Sequence, residues 1–217
     1  SKEQIASEFE LNLDKPIIAL MPGSRRAEVE ELAPEMFRAA EKLQAENPEF
    51  QFVLPLAQGV DRNLIAGQAG SYNLILKIIE DASYEVMKIS DLVVTASGTA
   101  ALESMILETP MIVVYKTDWT TYQLGSRLMN TDYISLPNII AGKEIVPEFI
   151  QGKVTAENIY DKVNYFLNRA YILREKSKKL GELRDKLGDK GAVRRTAELL
   201  LEEGGLQLNP SLIKNSL

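Results

Sequence analysis

Ser97-Gly98-Thr99 interrupts the apolar run Leu92-Val93-Val94-Thr95-Ala96, which reads as a buried strand, and Thr99-Ala100-Ala101-Leu102-Glu103 continues directly as a helix. A glycine at such a turn lets the backbone approach a bound group, while two hydroxyls and the first unpaired amides of the helix face the same point. That donor set suits a phosphate or a diphosphate, because a helix N-terminus also carries partial positive charge. The bland alternative is an N-cap, which Ser or Thr provides without any ligand. Glu103 lies one helical turn beyond Thr99 and faces the same way. Its carboxylate is placed either to accept both hydroxyls of a ribose or to sit as an ordinary surface charge.

The same arrangement occurs near the start of the chain. Ile17-Ile18-Ala19-Leu20 runs into Met21-Pro22-Gly23-Ser24-Arg25 and then into a helix. Gly23 and Ser24 are common turn residues, but Arg25 beside a helix start can clamp a phosphate with two parallel hydrogen bonds. Glu28, on the first turn of that helix, reads as a helix-start carboxylate rather than a catalytic one. Two phosphate-friendly turns in one domain point to a nucleotide. Further along, Asn138 follows a proline among apolar residues, so its amide requires a specific partner, either backbone or ligand. Trp119 and Tyr122 fit a core or an apolar groove for a lipid, and isolated aromatics favour the core.

Composition narrows the chemistry. The 217 residues contain no cysteine and no histidine, which removes disulfides, thiolate nucleophiles and the usual neutral-pH base. No carboxylate pair has metal-site spacing among these motifs, so neither a metal nor a cofactor is expected. A net charge of −6 argues against a nucleic-acid partner. The Lys- and Arg-rich stretch 174–190 is interleaved with Glu and Asp and reads as a solvated helix face. No apolar run approaches the ~18–20 residues needed to cross a bilayer, and the polar start carries no signal-peptide pattern, so the expectation is a cytoplasmic protein.

The elements that must position these residues alternate. Apolar runs at Ile17–Leu20, Phe50–Leu54, Leu74–Ile79, Leu92–Thr95 and Met111–Tyr115 predict strands. Val29, Leu32, Met36, Ala40 and Leu43 recur at helical spacing until Asn47-Pro48, and 61–68, 83–89 and 99–107 read as further helices. This predicts an α/β fold, a Rossmann-like parallel sheet with helices on both faces, whose ligands sit beyond the carboxyl ends of the strands. Beyond Tyr115 the pattern becomes helical, with helices expected at 118–129, 155–167 (capped by Thr155), 170–187 and 192–203. An ordered loop flanking a short strand is expected over 132–142. The expected domain covers 1–203, followed by an aperiodic tail at 204–217. Val193, Ala197, Leu200 and Leu201 form an apolar stripe that either folds onto its own sheet or exchanges with a second copy as a swapped homodimer.

Taken together, Met21-Pro22-Gly23-Ser24-Arg25 with Glu28, Ala96 to Glu103, Pro110 to Lys116, Thr131 to Gly142 and Ile145 to Gln151 closely resemble the lipid-A-disaccharide synthases over about residues 16–203. The Ser135-Leu136-Pro137-Asn138 loop is the most specific part of the likeness. The resemblance implies the C-terminal, nucleotide-binding half of a GT-B glycosyltransferase of family 19, with the N-terminal acceptor half having no counterpart here. It implies transfer of 2,3-diacylglucosamine from its UDP derivative to 2,3-diacylglucosamine 1-phosphate, at or near the inner membrane surface, with release of UDP and no metal. By the same resemblance, Gly23, Ser24 and Arg25 hold the diphosphate, Ser97, Gly98 and Thr99 form the second phosphate-side turn, and Glu103 holds the ribose. Asn138 and Gln151 lie near the donor sugar, and Arg25 and Asn138 are the catalytic pair. Two other readings stand beside it: a UDP-sugar binding module without turnover, and another GT-B-type enzyme such as a UDP-N-acetylglucosamine 2-epimerase.

Overall fold

A computed structural model describes residues 1–117, 132–188 and 191–203, the backbone alone at 192–194, 198, 201 and 202. The expected helix at 118–129, with Trp119 and Tyr122, and the tail at 204–217 lie outside the described residues. The chain divides into two units, Ser1–Arg184 and Asp185–Leu217.

The first unit is built on six parallel strands: β1 (Ile17–Met21), β2 (Gln51–Leu56), β3 (Leu76–Glu80), β4 (Leu92–Ala96), β5 (Met111–Tyr115) and β6 (Glu148–Ile150). Their order in the sheet is β3-β2-β1-β4-β5-β6, with every neighbouring pair parallel. All five expected strands are present. The helices are α1 (Lys2–Glu8), α2 (Arg26–Glu46), α3 (Arg62–Ala69), α4 (Ser83–Ile89), α5 (Thr99–Ile106), α6 (Leu136–Ala141), α7 (Ala156–Leu167) and α8 (Ala170–Arg184). A 3-10 turn, Asp185–Leu187, and α9 (Ala192–Glu203) belong to the second unit.

Alternate residues of each strand feed two separate cores. Ile18, Leu20, Phe52, Leu54, Val94 and Ile112 pack under α2 and α7, with Phe37 and Met36 filling the centre. Ile17, Ala19, Val53, Val93 and Val113 point the other way, against Val86 and Met87 of α4, Met105 of α5 and Leu180 of α8. Strands buried on both faces read as unbroken apolar runs, which is why periodicity found them. Thr155 caps α7 as expected, accepting a hydrogen bond from the Asn158 amide. Where a loop flanking a short strand was expected over 132–142, the chain instead forms α6, which begins on Pro137 at its first turn and ends at Gly142 in the left-handed conformation. The short strand comes later, as β6. Among the described residues, no helix is long and apolar enough to cross a membrane.

Strand order reverses between β1 and β4, which pair directly, Met21 opposite Thr95. The two following connections diverge to opposite sides, so a crevice opens at their carboxyl ends.

Candidate functional site

Both glycine turns lie at that crevice. In the β1–α2 turn, Gly23 has φ +120°, a conformation that L side chains rarely adopt. A Cβ there would stand 2.8 Å from Glu28 Cβ and collide with the Glu28 carboxylate. Glu28 reaches back from the first turn of α2. Its Oε2 accepts hydrogen bonds from the amides of Ser24 (3.1 Å) and Arg25 (3.3 Å), while Oε1 lies 2.8 Å from Arg25 Nη1. The Arg25 side chain is otherwise 81% exposed and overhangs the crevice.

In the β4–α5 turn, the Ser97 amide donates to the Val114 carbonyl (2.9 Å) and its hydroxyl to the Ile134 carbonyl (3.0 Å). Ser97 therefore presents lone pairs to the crevice rather than a donor. Gly98 is nearly fully extended, and a Cβ on it would meet nothing within 4 Å among the described residues. Neither strain nor packing demands glycine there, and the space beside it is open. The N-cap residue of α5 is Gly98, which has no side chain to cap the helix, and among the described residues no side-chain cap replaces it, so the amides of its first turn face the crevice. The two turns enclose a cavity of about 360 Å³ that also touches Pro55, Ala57, Ser83, Thr99 and Glu103. Close by, burial raises the Tyr84 phenol above its ordinary range and the Glu103 carboxylate adds to the effect, which puts the two side chains within electrostatic reach.

A wider groove of about 920 Å³ adjoins this cavity and shares Arg25, Glu28 and Ser97 with it. Lys116, paired with Glu31 at 3.3 Å, and Gln151 form its other side. Gln151 follows β6 with φ +51°, an uncommon conformation for a residue with a side chain. Its amide accepts from the Thr117 N–H (3.0 Å) and donates to the Thr117 carbonyl (2.9 Å), so it joins the ends of β5 and β6 at the groove's edge.

Asn138 does not reach either cavity. It is fully buried, and its amide is completely used: Oδ1 accepts from Ile145 N (2.7 Å) and Val146 N (2.9 Å), while Nδ2 donates to the Val146 carbonyl (2.8 Å) and Glu148 (2.7 Å). In this structure the Asn138 amide locks α6 to the 145–148 segment. Its partner Glu148 is the residue that sequence reasoning passed over. This half-buried carboxylate also accepts from the amides of Ile134 and Ser135 (both 3.0 Å) and from the Ser135 hydroxyl (2.6 Å). It so fixes the carbonyl to which Ser97 bonds. A glutamate on a three-residue strand carries no sequence signal of this kind.

Residues 1–202 match the model of the lipid-A-disaccharide synthetase family. The lipid-A-disaccharide synthase of Myxococcus xanthus (strain DK1622) is 38% identical over 192 residues, covering 88% of this chain and 50% of the relative. That of Geobacter sulfurreducens is 33% identical, covering 95% and 54%. The chain belongs to the lipid-A-disaccharide synthetase family. It spans about half the length of the curated relatives it matches. Solved structures agree on the fold. A UDP-GlcNAc 2-epimerase from Neisseria meningitidis bound to UDP-GlcNAc superposes with a TM-score of 0.61 at 18% identity, over 93% of this chain and 49% of that one. The C-terminal domain of a group 1 glycosyltransferase from Francisella tularensis gives 0.54 at 14% identity, over 86% and 92%.

The six-stranded parallel sheet with helices on both faces is a Rossmann-like α/β fold, which these solved structures share. Gly23, Ser24, Arg25, Ser97, Gly98, Thr99 and Glu103 thus border one cavity, Gln151 borders the adjoining groove, and Asn138 is buried and lines neither.

Proposed function

We propose that this chain is the donor half of a lipid-A-disaccharide synthase and that the crevice between β1 and β4 holds the nucleoside diphosphate of a UDP-sugar. The observation that carries the reading is the meeting of two helix N-termini, one guanidinium and an open glycine at one topological switch point. The diphosphate would lie between the Gly23–Arg25 and Gly98–Thr99 turns, the ribose hydroxyls on Glu103, and the donor sugar toward the groove edged by Gln151. In the proposed transfer, the 6-hydroxyl oxygen of 2,3-diacylglucosamine 1-phosphate bonds to the anomeric carbon of UDP-2,3-diacylglucosamine. The bond from that carbon to the diphosphate oxygen breaks with its electron pair, and the hydroxyl proton passes to a base. Negative charge grows on the departing UDP, where Arg25 and the helix amides are placed to stabilise it. With acylated substrates, the proposed place of reaction is the inner face of the cytoplasmic membrane.

The test is calorimetric titration with UDP, UMP and uridine. Arg25→Ala is expected to weaken UDP binding by ~1.5–3 kcal/mol, as for a charged hydrogen bond, to weaken UMP less and to leave uridine unchanged. Equal losses for all three ligands would refute the diphosphate clamp. The chain alone is expected to bind UDP without making disaccharide, since it spans half of its relatives. Synthesis by the purified chain would overturn the half-enzyme reading.

A further inference from the structure

The donors of the β1–α2 turn already face an anion. Glu28 spreads its two oxygens over the Ser24 amide, the Arg25 amide and the Arg25 guanidinium, at 2.8–3.3 Å. Two amides and a guanidinium converging on a pair of oxygens form a donor set that a phosphate would take up equally well. Gly23 is what admits the carboxylate, since any Cβ there would strike it. Glu28 also borders both the cavity and the groove, so it stands between the turn's donors and an arriving anion.

We infer that Glu28 is an internal competitor for the diphosphate: it holds the turn's donors in the ligand-free protein and gives them up when phosphate oxygens arrive. The competition follows from charge, because two anions on one donor set repel each other and divide a fixed number of N–H groups. Its consequence is weaker retention of the free nucleotide, since the carboxylate recovers its contacts as UDP departs. The inference rests on the nucleotide reading for the identity of the anion, but not for the competition itself.

Glu28→Gln keeps the shape and an acceptor for the amides while removing the charge. Glu28→Ala removes both. With each variant and the unaltered chain, UDP, inorganic pyrophosphate and uridine are titrated, and thermal midpoints are measured in parallel. Both variants are expected to bind UDP and pyrophosphate roughly tenfold more tightly, with uridine unchanged, even though the lost helix-start contact lowers the midpoint. A simple brace for the loop would show the opposite, with lower stability and weaker anion binding together. Unchanged or weaker anion binding in both variants overturns the inference. Tighter pyrophosphate binding without any UDP binding, in the unaltered chain or the variants, would sustain the competitor and refute the nucleotide reading. No binding of any probe by the three proteins overturns both.

Discussion

At the scale of single residues, the two turn glycines separate what holds the backbone from what admits a ligand. Gly23 is required by its own φ and by the Glu28 side chain, whereas Gly98 is extended and faces open space. Gly23→Ala should therefore cost ~1–3 kcal/mol of stability, read from urea denaturation, because alanine strains there and displaces Glu28. Gly98→Ala should leave the denaturation midpoint within ~0.5 kcal/mol and still weaken UDP binding, because its methyl group enters the volume proposed for the diphosphate. A stability loss at Gly98 equal to that at Gly23 would contradict the distinction. Both glycines were visible in the sequence as turn residues after apolar runs, but not which of them the protein itself requires. That depends on φ and on a side chain one helical turn away. Asn138 shows the same limit from the other side. The need for a partner could be read from its apolar neighbours, but the partner's identity depends on where residues 145–148 fold back.

At the scale of elements, the long pieces of this fold declared themselves and the short ones did not. Four strands buried on both faces, the half-buried β3 and the long amphipathic helices carry their patterns over enough residues to be read. The six residues of α6 and the three of β6 are too few to show a period, and the resemblance named their residues without placing them. Their fixing instead comes from Glu148, which gathers two amides, a hydroxyl and the Asn138 amide on one carboxylate. Glu148→Ala would leave those donors without their acceptor in a half-buried site. The expected cost is ~2–4 kcal/mol in denaturant unfolding, since each orphaned donor forfeits its desolvation and water reaches only some of them. UDP affinity should fall as well, because releasing the Ile134 carbonyl loosens the β4–α5 turn that Ser97 anchors to it. A further test of that route is a double-mutant cycle. In a Ser97→Ala background, Glu148→Ala should weaken UDP binding less than it does in the unaltered chain. Additive effects on affinity would mean that Glu148 acts on the site by another path.

At the scale of the whole molecule, the sheet, both cores and every residue bordering the proposed nucleotide site lie within Ser1–Arg184. The second unit contributes α9, on which Leu199 and Leu200 are 61% and 69% exposed. Val193 and Leu201, the ends of the stripe expected from sequence, have side chains outside the described set. Exposed leucines on an amphipathic helix forfeit roughly 25 cal/mol for each Å² of apolar surface left in water, which favours an occupant for that face. A chain ending at Arg184 isolates the question. If the first unit is self-sufficient, the shortened chain should keep a single cooperative urea transition within ~1 kcal/mol of the full chain and the same affinity for UDP. If the α9 face is covered by a second copy, light scattering should report a dimer for the full chain and a monomer for the shortened one. A shortened chain that loses cooperative unfolding would show instead that residues beyond Arg184 complete the first unit's core. Retained folding with lost UDP binding would place part of the nucleotide site in the second unit, against the assignment to the β1–β4 crevice alone.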